Sequence, residues 1–211
     1  MSKWLVIGIS GVSGGGKTTL AKALHELLSN DKEYSQIQEC HLVHQDDYFH
    51  SQDYEHHLWM PELKHVNWDV MGALDMDRMV NDLKKILKNG TKFDWTKHVT
   101  LCKNKKINST SNVGEIKDKS KVNILIIEGF LILNHEEVRN ICDLKFYLDL
   151  NKEQCYDRRK DRVYDPPDVE GYFDQAVWSG HLRNKSEVLK YDVEFLDGMR
   201  SDLLLHIKQY V

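Results

Sequence analysis

The chain has 211 residues, 41% of them hydrophobic and 29% charged, with a formal net charge of −4. That length can bury a core within one compact domain, taken here as residues 1–211, and the composition is that of an ordinary soluble globular protein. The acidic balance excludes a global attraction to nucleic acid or to an anionic membrane, so any anionic ligand must be held by a local cluster.

The first apolar run, Trp4 to Ile9, reads as a parallel strand buried on both faces. It leads into Gly11-Val12-Ser13-Gly14-Gly15-Gly16-Lys17-Thr18, which fits the phosphate-loop pattern of Gly, any four residues, Gly, Lys and Ser or Thr. Beyond it, Leu20, Ala23, Leu24, Leu27 and Leu28 recur at helical spacing. Glycines let backbone N–H groups come close to a triphosphate, and the helix start adds unpaired donors and the positive end of its dipole. Lys17 is expected to reach the β- and γ-phosphates as a mobile charge, and the Thr18 hydroxyl to take a place on Mg²⁺.

A second apolar stretch ends at Leu42-Val43 and passes directly into His44-Gln45-Asp46-Asp47-Tyr48-Phe49. Ligands of open α/β sheets bind beyond the carboxyl ends of strands, so an acid there faces the same crevice as the loop. Asp46, nearer the strand end than Asp47, is the candidate proton acceptor and metal neighbour. From His50 to His65 the chain is rich in His and aromatic residues without metal-ligand spacing, and reads as a surface segment over the substrate. Asn67-Trp68-Asp69 then precedes an amphipathic helix whose apolar face is marked by Leu74, Met79, Leu83, Ile86 and Leu87; a helix N-cap is the competing role for Asp69.

Phe93 to Lys121 is polar and Lys-rich, with a possible hairpin from Phe93-Asp94-Trp95 and Val99-Thr100-Leu101. Ile124 to Ile127 is another buried strand, and it ends in Glu128, where a phosphate-loop protein carries its metal-supporting carboxylate. Phe146-Tyr147-Leu148 forms a further strand. Asn151 to Arg162 reads as a helix carrying Arg158, Arg159, Lys160 and Arg162, a flap of arginines able to close on the phosphates, with Pro166-Pro167 ending it. Residues 171–178 begin another helix, Val193 to Leu196 is a last strand, and a terminal helix holds Leu203, Leu204 and Ile207. The four cysteines, Cys40, Cys102, Cys142 and Cys155, show no CxxC pairing, which points to reduced thiols and a cytoplasmic setting. No signal pattern opens the chain and no segment is long enough to span a bilayer.

These features imply an α/β, three-layer P-loop kinase fold, with a central parallel sheet flanked by helices and an arginine-bearing lid. The chemistry is Mg²⁺-dependent phosphoryl transfer from ATP to a small acceptor. A GTPase switch would need Asn-Lys-x-Asp, which is absent; Asp168-Val169-Glu170-Gly171 matches a switch-type Asp-x-x-Gly but lies far downstream and off any strand tip. A non-catalytic nucleotide-binding module is disfavoured because both candidate carboxylates, Asp46 and Glu128, are present.

The loop through Thr19, the segment Gln45 to Phe49, Asn67-Trp68-Asp69, Ile127-Glu128-Gly129-Phe130, Arg162-Val163-Tyr164 and Pro166 to Asp174 together resemble nicotinamide riboside kinases, of the uridine kinase-like branch of P-loop kinases. The resemblance implies phosphorylation of the ribose 5′-hydroxyl of nicotinamide riboside, yielding the mononucleotide for NAD synthesis. It implies ATP contacts from Gly11, Val12, Ser13, Gly14, Gly15, Gly16, Lys17, Thr18, Thr19, Arg158 and Arg162, with Arg200-Ser201-Asp202 near the adenine. Asp46 would be the base, and Thr18, Asp46 and Glu128 the metal site. Asp47, Tyr48 and Phe49 would border the nucleoside, Asp69 and Arg159 would hold the ribose, and Trp68 and Tyr164 would sandwich the cationic ring. Trp68 stands where a Tyr is common. A pyrimidine nucleoside is the alternative acceptor, no nucleic acid or membrane is involved, and a monomer or weak homodimer is expected.

Overall fold

The computed structural model describes residues 2–30, 34–88, 90–92 and 121–211. In chain order these form β1 (Ser2–Gly11), α1 (Lys17–Asn30), β2 (Ile37–His44), a 3₁₀ turn at Gln45–Tyr48, and a short hairpin of β3 (Trp59–Met60) and β4 (His65–Val66). A second 3₁₀ turn at Met71–Ala73 precedes α2 (Met76–Leu87), β5 (Gly90–Lys92), β6 (Val122–Glu128), α3 (Glu136–Ile141), β7 (Leu144–Asp149) and α4 (Lys152–Arg159). A π-helical segment, Phe173–Trp178, then runs into α5 (Ser179–Val188), followed by β8 (Glu194–Asp197) and α6 (Leu203–Lys208).

The main sheet is parallel throughout, in the order β2-β6-β1-β7-β8, with β5 paired to the start of β1. Side chains alternate across it. Leu5, Ile7, Ile9, Ile124 and Ile126 pack under Leu20, Leu24 and Leu28 of α1 and Leu203 and Ile207 of α6. Val6, Leu125 and Ile127 face Met79 and Leu83 of α2, Val138 of α3 and Val188 of α5. The period-two alternation thus builds two cores, one on each face, and the continuous apolar runs of β1 and β6 are explained by burial on both sides.

The register brings the carboxyl ends together: Ile9 and His44 both lie opposite Glu128, and Gly11 lies opposite Leu148. The Val12 N–H donates to the Leu148 carbonyl at 3.0 Å, which pulls the loop entrance tight against β7. Gly11 makes this possible. Its φ is +138°, and a Cβ there would sit 2.1 Å from the Leu148 carbonyl oxygen.

Three sequence expectations shift. Helix α2 begins at Met76 and is capped by Asp75, whose side chain accepts from the Arg78 N–H at 2.9 Å, so neither Asp69 nor Leu74 belongs to it. Helix α4 stops at Arg159, capped at its start by the reciprocal Asn151 and Gln154 bonds, and Pro166 lies well beyond its end. The hairpin β3–β4 stands within the expected surface segment, and its two-residue strands are too short to leave a periodicity in the sequence. The possible hairpin from Phe93 to Leu101 lies outside the described residues. Gly11→Ala is expected to destabilise the protein by about 2 kcal/mol or more and to weaken ATP binding, measured by urea denaturation and nucleotide titration.

Candidate active site

The loop is held from outside by one face of α4. The Cys155 thiol donates to the Ser13 carbonyl at 3.1 Å, Arg158 donates to the Gly14 carbonyl at 3.0 Å, and Arg159 donates to the Ser13 hydroxyl at 2.8 Å. Positions 155, 158 and 159 share a helix face by their i, i+3, i+4 spacing, so a single rigid rod grips two consecutive loop residues. Burial pushes the Cys155 thiol up to about 11, which keeps it a neutral donor. Lys17 donates to the Val12 carbonyl at 3.0 Å. Burial lowers its pKa, while Glu128 and Asp46 draw it back up.

Opposite the loop stand the acids. Glu128, 2% exposed, accepts from the Thr18 hydroxyl at 3.0 Å, and its same oxygen lies 2.7 Å from His44 Nδ1. Asp46 is open to the cavity, yet the surrounding walls displace enough water to raise its pKa, against the pull of Lys17. Thr18, Glu128 and Asp46 offer hard oxygens. Among the described residues no three His, Cys, Asp or Glu side chains form a metal cage. One hydroxyl and two carboxylates are too few donors to enclose a metal alone and fit a hard cation, such as Mg²⁺, that keeps phosphate and water ligands of its own.

Lys17, Thr18 and Asp46 open into a cavity of about 420 Å³, with Glu128 buried behind Thr18, and its further walls include Phe49, Trp68, Asp69, Arg159, Arg162, Tyr164, Asp168 and Tyr172. Arg159 is only 8% exposed: Nε and Nη2 bind Asp168 at 2.8 and 3.0 Å, and its guanidinium lies 4.2 Å from the Tyr164 ring centroid and 3.9 Å from Asp69. Trp68 meets Phe49 edge-on at 6.0 Å and His57 at 4.4 Å. His57 in turn meets Tyr54, which stacks on His50 at 3.8 Å, so the His-rich segment backs the Trp68 wall with rings.

The structure thus brings Lys17, Thr18, Asp46, Phe49, Trp68, Asp69, Arg159, Arg162 and Tyr164 to one cavity. Tyr48 turns into the core, bonded to Asp82 at 3.3 Å, and Asp47 is exposed, its carbonyl accepting from Arg78. Arg158 braces the loop and also reaches the Gly198 carbonyl at 3.3 Å. Arg200 and Asp202 pair with each other at 2.8 Å, and Ser201 is exposed between them, close in sequence to Gly198, which abuts Gly15. Among the cavity residues to which the sequence assigns no role, two bond directly to the predicted ones. Asp168, part of the switch-type Asp-x-x-Gly pattern, is the partner of Arg159. Tyr172 lies in a segment that carries the family resemblance but shows no chemistry of its own; its hydroxyl joins Trp68 and Asp69 from 104 and 103 residues away.

A glycine loop after a central parallel strand, a buried strand-tip acid and a walled cavity holding a second acid define a P-loop phosphotransferase for small molecules. A model of the phosphoribulokinase / uridine kinase family matches residues 6–191, and the chain belongs to that family. Nicotinamide riboside kinase 1 of Mus musculus is 34% identical over 202 residues, 95% of this chain and 89% of that one. Its Homo sapiens counterpart is 32% identical over 210 residues, covering 99% and 91% of the two chains. Uridine kinase of Haemophilus influenzae (strain PittGG) is 30% identical over 158 residues, covering 75% and 68%. Arg159→Lys keeps the charge but loses the planar fork, and is expected to raise the nucleoside KM about tenfold in steady-state assays.

Proposed function

We propose that this protein is a nucleoside kinase that transfers the γ-phosphoryl group of ATP to the ribose 5′-hydroxyl of nicotinamide riboside, giving nicotinamide mononucleotide for NAD synthesis. The observation that carries the reading is the single cavity in which Lys17 and Asp46 face an aromatic and acidic wall of Trp68, Tyr164 and Asp69. Full-length similarity to nicotinamide riboside kinases supports the same acceptor.

In this reading the loop amides from Gly11 to Thr19 and Lys17 hold the triphosphate, while Asp69 and Arg159 take the ribose hydroxyls and fix the sugar. Trp68 and Tyr164 cover the pyridinium ring, whose positive charge is attracted to their π faces. The 5′-oxygen attacks the γ-phosphorus as the bond to the β–γ bridging oxygen breaks. Asp46 accepts the hydroxyl proton, and ADP departs. Mg²⁺, when bound by Thr18, Asp46 and Glu128 with the phosphates, supplies neutralising charge to the transferring group. Arg162, exposed at the cavity rim, is free to swing onto the phosphates. Arg200, Ser201 and Asp202 border the adenine in the same reading, on the far side of the loop.

Among the described residues Cys40, Cys142 and Cys155 are not joined in disulfides, in keeping with a cytoplasmic setting. Among the described residues no helix is long and apolar enough to cross a membrane. Uridine or cytidine is the second reading, favoured by the shared family and the uridine kinase relatives.

A panel of nicotinamide riboside, uridine and cytidine with ATP-Mg²⁺ separates the two; turnover of the pyrimidines alone would overturn the first reading. Asp46→Asn is expected to lower kcat by about 10² or more with ATP affinity little changed. Because burial raises the Asp46 pKa and only its ionised form accepts a proton, kcat is expected to fall as pH drops through that raised pKa, and the Asn variant to lose this limb. Trp68→Ala is expected to raise KM for nicotinamide riboside more than for a neutral nucleoside.

A further inference from the structure

Residues 67–70 lie in no helix or strand, although two of them face the cavity. Something must hold them. The Asp69 N–H donates to the Asn67 side chain at 3.0 Å, which shapes the turn locally but aims neither the Trp68 ring nor the Asp69 carboxylate. The aim comes from Tyr172. Its hydroxyl accepts from the Trp68 N–H at 2.8 Å and donates to Asp69 Oδ2 at 3.0 Å.

Tyr172 is itself immobile. It is 1% exposed, packed with Ala176, Val177, Met60 and Leu63, and edge-on to His65 at 5.0 Å. Gly171, with a φ of +81°, turns the chain just before it, and the π-helical segment Phe173–Trp178 anchors it just after. A phenol offers one donor and two acceptor lone pairs, so one oxygen can tie two consecutive residues without leaving either in competition for it.

We propose that Tyr172 is the positioning residue of the nucleoside site: its hydroxyl locks the Trp68 backbone and the Asp69 carboxylate to each other, so that ring and ribose recognition are set by one atom. The proposal rests on the nucleoside-kinase reading above. Without the hydroxyl, Asp69 is free to swing fully onto Arg159, now 3.9 Å away, and away from the sugar.

The electrostatics give this role a signature that packing alone lacks. Burial raises the Asp69 pKa; Arg159 from α4, the Tyr172 hydroxyl and Lys17 from α1 lower it, and Asp168, between α4 and the π-helical segment, raises it. Burial and the neighbouring Asp69 push the Tyr172 phenol far above its ordinary value, so it stays a donor. Removing that donor lifts the Asp69 pKa further. Since a sugar hydroxyl donates to ionised Asp69, the acidic limb of nucleoside kcat/KM must move to higher pH.

The test is Tyr172→Phe in the full chain, with folding followed by thermal melting. The expected result is a rise of about tenfold in KM for nicotinamide riboside, little change in KM for ATP or in kcat, and the limb displaced upward. The Asp69 carboxyl, titrated by ¹³C NMR without any substrate, should move in the same direction. In an Asp69→Asn background, Tyr172→Phe should cost much less than in wild type, because both act through one contact. If Phe fails to fold, 3-fluorotyrosine in place of Tyr172 keeps ring and hydroxyl, strengthens the donor, and should move the limb to lower pH. An unmoved Asp69 titration, equal losses in both KM values, or full additivity with Asp69→Asn would each overturn the proposal. Wild-type turnover of uridine but not nicotinamide riboside would overturn the acceptor reading instead; the same comparison is then run with uridine, whose ribose is the same.

Discussion

The site hangs on one buried cation. A guanidinium removed from water is costly unless charge and donors are compensated, and Arg159 is compensated by Asp168, beyond the end of α4, and by Ser13 in the loop, while Tyr164 and Asp69 lie against it. Those contacts come from the phosphate loop, the segment after α4 and the cavity wall around Asp69. The loop and that wall are therefore joined through a side chain whose geometry is a planar fork rather than a point charge. Its neighbours on α4, Cys155 and Arg158, hold the same loop by its carbonyls, so the helix acts as a clamp on backbone that glycine content would otherwise leave loose.

Legibility in the sequence followed how local each signal was. The strand, loop and helix around Lys17 were plain because each is written in adjacent residues, and Asp46 and Glu128 were plain because each ends an apolar run. Element ends were less so. Asp75, not Asp69, caps α2, and nothing in the pattern separates two aspartates a turn and a half apart until the chain is folded. Helix α4 looked longer because its basic residues continue past the last hydrogen-bonded turn.

The least legible residues are those that act at a distance. Asp168 sits in irregular backbone and matches a pattern belonging to another chemistry, while its real partner is set by where the chain after α4 folds back. Tyr172 is an ordinary aromatic between Gly171 and Phe173 until the fold brings its hydroxyl to Trp68 and Asp69. The family resemblance named Asp69, Arg159, Trp68 and Tyr164, but it offered no reason for their relative orientation; that reason lies in the hydrogen bonds behind them.

The all-parallel register has a consequence for synthesis. The loop is synthesised well before the partners that close it: Ile9 aligns with Glu128, Gly11 with Leu148, and the clamp on α4 follows later still. Such non-local pairing makes assembly slow relative to helical proteins. A nascent chain that has released only β1 and α1 has no finished grip for a triphosphate, so nucleotide can reward folding only after β7 and α4 have emerged and cannot template its beginning.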